Sequence, residues 1–291
     1  MDACANPLRA RRLECTVEQY HRDELSPKPT LSCSVAKTIV AKSPLHAYAV
    51  HPRFGGVERE TTPEMDFGTT VHSLVLGKGS GIQEITFPDF RTNLAKEARN
   101  AARNAGLVPV LSKHLRRAKE VAENITEQLA RRGVVFGGES EVAIEWEEES
   151  ARGPILCRSM LDHYIASDGL VIDLKTTGDA NPEAFGRKAI EMGYDLQSVV
   201  YPRALEVLRP ELAGRVEFLF AVVEVQPPFA VLVGQPAGDM RRLGELRWRR
   251  AVETWATCLE AQKWPGYGDG IAYLGLPGWA AKLIDEEETM Q

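Results

Sequence analysis

Residues 155–175 read ILCRSMLDHYIASDGLVIDLK. Two β-branched and apolar runs, Ile155–Ala166 and Leu170–Lys175, meet at Ser167-Asp168-Gly169, a turn sequence. Side chains alternate along a strand, so Asp173 and Lys175 share one face while Ile172 and Leu174 take the other. A two-residue turn at Ser167-Asp168 sets Asp162 opposite Asp173. A two-residue turn at Asp168-Gly169 sets it opposite Lys175. Either register puts Asp162 on the face of Asp173 and Lys175, and a slip of one residue removes it.

Two carboxylates a few ångströms apart repel unless a cation lies between them. A hard divalent ion with oxygen ligands meets that need, which points to Mg²⁺, with Mn²⁺ able to substitute. Lys175 beside such an ion can orient or help deprotonate a water and can contact a phosphate. The competing reading is a solvated strand face on which Asp162 is a cross-strand salt-bridge partner. The apolar run Leu170–Leu174 argues against it, because charges inside a central strand are rare unless used. Glu141, at the start of the preceding strand, reads equally as a further metal-side carboxylate or as edge polarity. His72, flanked by Val71, Leu74 and Val75, is either a core histidine or a supplementary ligand. Gln197 and Tyr201 are four apart and share a helical face, over the site or merely polar.

Working outward, period two also marks Val142-x-Ile144-x-Trp146. Helices are predicted over Met65–Leu76, 92–105, 112–132 (capped by Ser112, stopped by Gly133), from Pro182 to near Gly193, over Asp195–Leu208 and over Met240–Lys263. Val216–Val225 and Phe229–Val233 form a hairpin. Residues 1–30 have no clear period and read as a flexible arm. Residues 31–291 read as one domain: a helical part (31–135), a sheet with flanking helices (136–263) and a tail (264–291). The expected class is α+β, mixed α/β, with helices around a central mixed sheet. Arg91, Lys96, Arg99, Arg103, Arg116 and Arg117 stand on or beside the two helices of 92–132, lining a DNA channel or simply solvated.

The chain has 291 residues, 44% hydrophobic and 26% charged, which is ordinary for a globular protein. A net charge of -6 disfavours binding nucleic acid by cations alone, an objection that weakens where a metal supplies local positive charge. Five cysteines without a C-x-x-C pair exclude a zinc ribbon and a disulfide framework. The N-terminal residues lack a secretory signal's apolar core, and no run has membrane-spanning length, so a cytoplasmic protein without membrane association is expected. No Walker-type phosphate loop is present.

Asp162, the run Ile172-Asp173-Leu174-Lys175-Thr176-Thr177, Gln197-x-x-x-Tyr201 and Gly68-Thr69-Thr70-Val71-His72 together resemble the RecB-type branch of the PDDEXK nucleases. Within it the sequence is most similar to the exonuclease VIII (RecE-type) nuclease domains and their phage relatives. The likeness spans Ser34-Val35, Ser43-Pro44, Cys157-Arg158, Trp264-Pro265 and Leu276-Pro277-Gly278-Trp279. It implies a restriction-endonuclease-like core in which His72, Asp162, Asp173 and the Leu174 carbonyl ligate the metal and Lys175 is catalytic. Glu141 is then auxiliary, and Gln197 and Tyr201 contact water or DNA. It further implies 5′→3′ digestion of linear duplex DNA to 5′-mononucleotides, leaving 3′ overhangs for a single-strand annealing protein in phage or prophage recombination within a bacterial host. It also implies a ring-shaped homo-oligomer. Met160-Leu161 replaces the Arg-Pro common in relatives, and the cysteines do not suit an iron–sulfur cluster. The alternatives are a structure-specific or single-strand endonuclease on the same fold, or a non-catalytic DNA-binding scaffold.

Overall fold

The computed structural model describes residues 9–57, 61–134, 137–280 and 282–290; residues 1–8 of the expected arm lie outside the described residues. In chain order the elements are β1 (Ala10–Leu13), α1 (Val17–Arg22), β2 (Leu31–Ser32), α2 (Cys33–Ala41), α3 (Pro44–Val50) and α4 (Pro63–Leu76). There follow β3 (Ile82–Ile85), α5 (Asn93–Asn104), β4 (Val108–Leu111), α6 (Ser112–Ala130), β5 (Glu139–Glu148), β6 (Ile155–Ile165) and β7 (Leu170–Thr177). The chain closes with α7 (Pro182–Met192), α8 (Tyr194–Leu208), β8 (Glu217–Glu224), β9 (Val231–Gly234), α9 (Gly238–Ala261) and α10 (Lys282–Thr289).

The main sheet runs β1-β5-β6-β7-β8-β9, mixed because β7 and β8 are parallel while the other neighbours in that order are antiparallel. One face is covered by α2, α8 and α9 around Leu31, Trp146, Leu196 and Trp255. The other is covered by α4 and α6 around Val71, Ile125, Leu129, Ile172 and Leu174. This is the expected class, a central mixed sheet between helices. The helix expected from Met65 to Leu76 begins earlier, at the Thr62 cap with Pro63 in its first turn, and stops at Gly77 with φ 64°, a left-handed conformation glycine adopts without strain.

The feature that positions the site is a split in the sheet. The ladder between β6 and β7 covers His163↔Ile172, Tyr164↔Val171 and Ile165↔Leu170. At the far end of β6 the partner is β2, parallel, through Leu31↔Cys157 and Ser32↔Arg158. Residues 159–162 of β6 lie between these two partners, where β6 and β7 have parted.

Two expectations change, and two features were not expected. From Arg9 onward the N-terminal segment is no loose arm: β1 pairs with β5, α1 carries a capping box from Thr16 and Gln19, and Asp23 is buried against Arg158. Short elements with little period hid that packing. α3, which the sequence reading did not include, starts at the Ser43 cap with Pro44 in its first turn. Ser112 is the first residue of α6 rather than its cap, because β4 runs straight into the helix. β3 and β4 form a separate parallel pair that the sequence reading did not include.

Candidate active site

The observed β6–β7 register continues to Asp162 opposite Asp173, the arrangement expected for a turn centred on Ser167-Asp168. The ladder, however, stops one residue earlier, at His163↔Ile172. Asp162 takes over the next ladder position with its side chain: its Oδ2 accepts the Leu174 N–H at 2.9 Å. The site is therefore assembled in the opening between diverging strands, not on the flat face of a regular hairpin. The same Oδ2 lies 3.6 Å from Nδ1 of His72, and the His72 ring also meets the Leu174 backbone carbonyl. His72 comes from α4 on one side of the sheet. Lys175 lies over the ring of Tyr194, from α8 on the other side, with 4.8 Å between Nζ and the ring centroid.

Asp173 is fully buried, and the Lys175 ammonium sits 2.5 Å from its Oδ2. Neither carboxylate oxygen accepts a geometrically proper hydrogen bond among the described residues. A buried anion without donors is unfavourable in water-free surroundings. Burial accordingly pushes the Asp173 carboxyl up to about 7; the nearby Asp162 charge adds to this and Lys175 works against it. Burial of Lys175 opposes its charge, but Asp173 and Asp162 outweigh it and the ammonium is held above its usual range. Burial lowers the pKa of His72, against the pull of Asp162, so the imidazole is neutral and able to donate a lone pair near pH 7.

Glu141 lies in β5 between Ser140↔His163 and Val142↔Leu161, which sets it across from Asp162. Its φ of 51° is left-handed, a conformation that a non-glycine residue holds at a cost of about 1–3 kcal/mol and that is common where a side chain is aimed at a site. Side-chain alternation reverses there. Val142 and Leu161 pack with the core under α8, whereas Ser140, two positions on, bonds the Leu76 carbonyl of α4. Burial raises the Glu141 pKa, followed by the charge of Asp162, so the two carboxylates feel each other. The reading of Glu141 as mere edge polarity does not describe this environment.

On α8, Gln197 Nε2 donates to Tyr201 Oη at 2.7 Å, and the Gln197 Oε1 is buried without a partner among the described residues. Burial raises the Tyr201 phenol far above its usual range, with Asp173 and Asp162 among the lesser causes, so this pair borders the carboxylates. Tyr194 was missed. It stands three before Gln197 and seven before Tyr201, so the helical period would have placed all three on one face had the helix been started one residue earlier. Two surface clefts lie elsewhere, one lined by Arg203, Arg241 and Trp248, the other by Arg11, Leu25 and Trp146.

Of the six cations, Arg91, Lys96 and Arg116 are exposed. Arg99 lies over Phe90 at 5.6 Å and Arg117 over Phe67 at 4.7 Å, while Arg103 pairs with Asp66 of α4 at 2.8 Å. The last two thus brace the helix that carries His72.

Among the described residues no group of three or more His, Cys, Asp or Glu side chains is already closed around a metal-sized space. The donor set nevertheless suits a divalent cation: a neutral imidazole, two carboxylates, one of them buried without donors, and a backbone carbonyl. In the structure the Lys175 ammonium supplies the counter-charge. A pH dependence follows with a definite sign. Asp173 has its pKa raised on folding, so its contribution to stability is full at low pH and is lost as pH rises through about 7. Above that pH a cation would restore it by taking the proton's place beside the ionised carboxylate. The melting-temperature gain on adding Mg²⁺ is expected to be larger at pH 8 than at pH 6, and equal gains would remove Asp173 from the ligand set.

No curated protein matches this sequence. The model of the PDDEXK-like domain of unknown function (DUF3799) matches residues 32–277. Among solved structures, a candidate exonuclease from Eubacterium rectale is similar at 14% identity with a TM-score of 0.59, over 91% of this chain and 97% of that one. A phage-related exonuclease from Haemophilus somnus is similar at 15% identity over 66% of this chain and 95% of its own, with a TM-score of 0.31. The first of these shares the fold. Among the described residues no helix is long and apolar enough to cross a membrane. From residue 32 to 277, the chain belongs to the PDDEXK-like family DUF3799.

Proposed function

We propose that this protein is a metal-dependent exonuclease that degrades linear double-stranded DNA from 5′ ends, releases 5′-mononucleotides and leaves 3′ overhangs. The family and the fold support a nuclease, and one observation carries the assignment furthest: a fully buried Asp173 that the Lys175 ammonium meets at 2.5 Å but that accepts no hydrogen bond of proper geometry among the described residues, close to Asp162 at a split in the sheet. His72, Asp162, Asp173 and the Leu174 carbonyl would hold Mg²⁺ or Mn²⁺, with Glu141 behind Asp162. The bound ion would supply Lewis-acid charge at the scissile phosphate. Lys175 holds a proton and a positive charge where a phosphate oxygen or attacking water would lie. Gln197 would accept a hydrogen bond from that water through its buried Oε1. The 3′ strand would pass to a single-strand annealing protein in the bacterial cytoplasm, and a ring-shaped homo-oligomer would keep the enzyme on its substrate.

The test is digestion of 5′- and 3′-end-labelled linear duplex beside a closed circle, with Mg²⁺ and with chelator. Early release of the 5′ label, an intact circle and no product under chelation are expected. A nicked circle would turn the assignment to an endonuclease. The exposed cations make a separate prediction: replacing Arg91, Lys96 and Arg116 together by alanine is expected to raise KM for DNA and flatten its salt dependence, with kcat unchanged. Arg103→Ala and Arg117→Ala should lower Tm instead, because those side chains pack on α4.

A further inference from the structure

Lysine carries four side-chain torsions, so its ammonium must be held if it is to act from one place. Two groups approach Lys175 Nζ: Asp173 Oδ2 at 2.5 Å and the Tyr194 ring, with its centroid at 4.8 Å. The ring face carries the negative part of the aromatic quadrupole, so it attracts the ammonium as well as packing on it. The ring is itself fixed. It stacks on Phe185 at 6.1 Å and meets Phe220 at 6.4 Å.

The backbone at Tyr194 is pinned from both sides. Gly193 before it is left-handed at φ 71°, and Lys37 lies so close that a Cβ there would fall 2.9 Å from its Cγ. Asp195 after it is buried and paired with Arg247 of α9 at 2.8 Å. Gly244 of α9 lets the Asp195 carbonyl come so near that a Cβ would stand 2.3 Å away.

We propose that Tyr194 is a positioning residue: its ring keeps the Lys175 ammonium in the site, above all when Asp173 turns from the lysine to a cation. The inference rests on the nuclease reading above. Once Asp173 is engaged by an ion, the ammonium loses its nearest anion and the ring remains to stop it swinging into solvent.

The test compares wild type with Tyr194→Phe, Tyr194→Leu and 3,4,5-trifluorophenylalanine at position 194, which keeps the shape but drains the ring face of negative charge. On linear duplex, kcat should stay within about twofold for the phenylalanine variant and fall about tenfold for leucine, with the fluorinated ring between them and KM unchanged throughout. A second readout needs no turnover. In protein with ¹³C-labelled lysine, the Lys175 ε-methylene signal, identified by its loss in Lys175→Arg, should be shifted upfield by the ring in wild type and Tyr194→Phe. It should move back toward free lysine in Tyr194→Leu. A leucine variant with wild-type kcat, a fluorinated variant as active as phenylalanine, or an ε signal indifferent to the ring would each overturn the proposal. If wild type digests no DNA, the nuclease reading fails, while the ε signal still decides whether the ring holds the lysine.

Discussion

Asp173→Asn is expected to lower kcat on linear duplex DNA by about 10³-fold or more while leaving the Tm of the metal-free protein unchanged or higher. Activity and stability should part because the Asp173 charge is unfavourable where it stands. Its side chain has no solvent exposure, its oxygens accept no proper hydrogen bond among the described residues, and burial lifts its carboxyl to about 7. An amide of the same shape removes the desolvated charge and with it the ligand, the trade between stability and activity expected of a site built to bind a cation. Lys175→Ala should lose comparable activity but move stability the other way. It leaves Asp173 without its counter-charge, at a cost of about 1–3 kcal/mol at pH 8 and less at pH 6, where the carboxyl takes up a proton. Single-turnover digestion and calorimetry on the two variants measure both halves. The double variant should be no slower than either single, because the two groups act as a unit. Activity of Asp173→Asn within tenfold of wild type would sink the catalytic assignment, and a clear drop in its Tm would mean that Asp173 serves the fold.

The fold class was legible because the long elements carry strong periods. β5, β6 and β7 alternate or run apolar, α4 stops at Gly77, and α7 is bounded by Asn181 and Gly193. That Asp173 and Lys175 share one side of β7 was legible for the same reason, since period two fixes what a strand side chain can reach; the place of Asp162, whose carboxylate bonds the Leu174 N–H in the opening between the strands, was not. What the period could not carry was the place where regularity ends. A left-handed Glu141 in mid-strand leaves no mark on hydropathy, and where β6 has parted from β7 its partner is β2, only two residues long and paired across 126 positions as Leu31↔Cys157. The role of the N-terminal segment was hidden likewise, because Asp23 and Arg158 look like surface charges until the fold brings them together. Tyr194 escaped through a boundary error of one residue at the start of a helix, where sequence reading is weakest.

Arg158→Met tests whether that hidden segment matters to the site. Arg158 is buried on β6, ion-paired with the fully buried Asp23, hydrogen-bonded through Nη1 to Thr30 Oγ1 at 2.5 Å, and set over the Tyr20 ring at 5.2 Å. Asp23 in turn accepts the Thr30 N–H at 3.0 Å and its hydroxyl at 2.8 Å, and lies 3.5 Å from Nε2 of the buried His51. Removing the guanidinium strands a buried carboxylate, so a loss of about 3–5 kcal/mol in urea unfolding is expected. Asp23→Ala should do the same by stranding the arginine, and the double variant should recover part of the loss, because neither buried charge then lacks a partner. Ser32 of β2 is the register partner of Arg158, so loosening this network loosens the strand that borders the opening where Asp162 sits. Amide exchange at Leu31 and Ser32 should therefore quicken in both single variants, and kcat should fall with it even where the protein remains folded. Single variants that lose stability while keeping slow exchange at β2 and full activity would show that the N-terminal segment braces the domain without shaping the site.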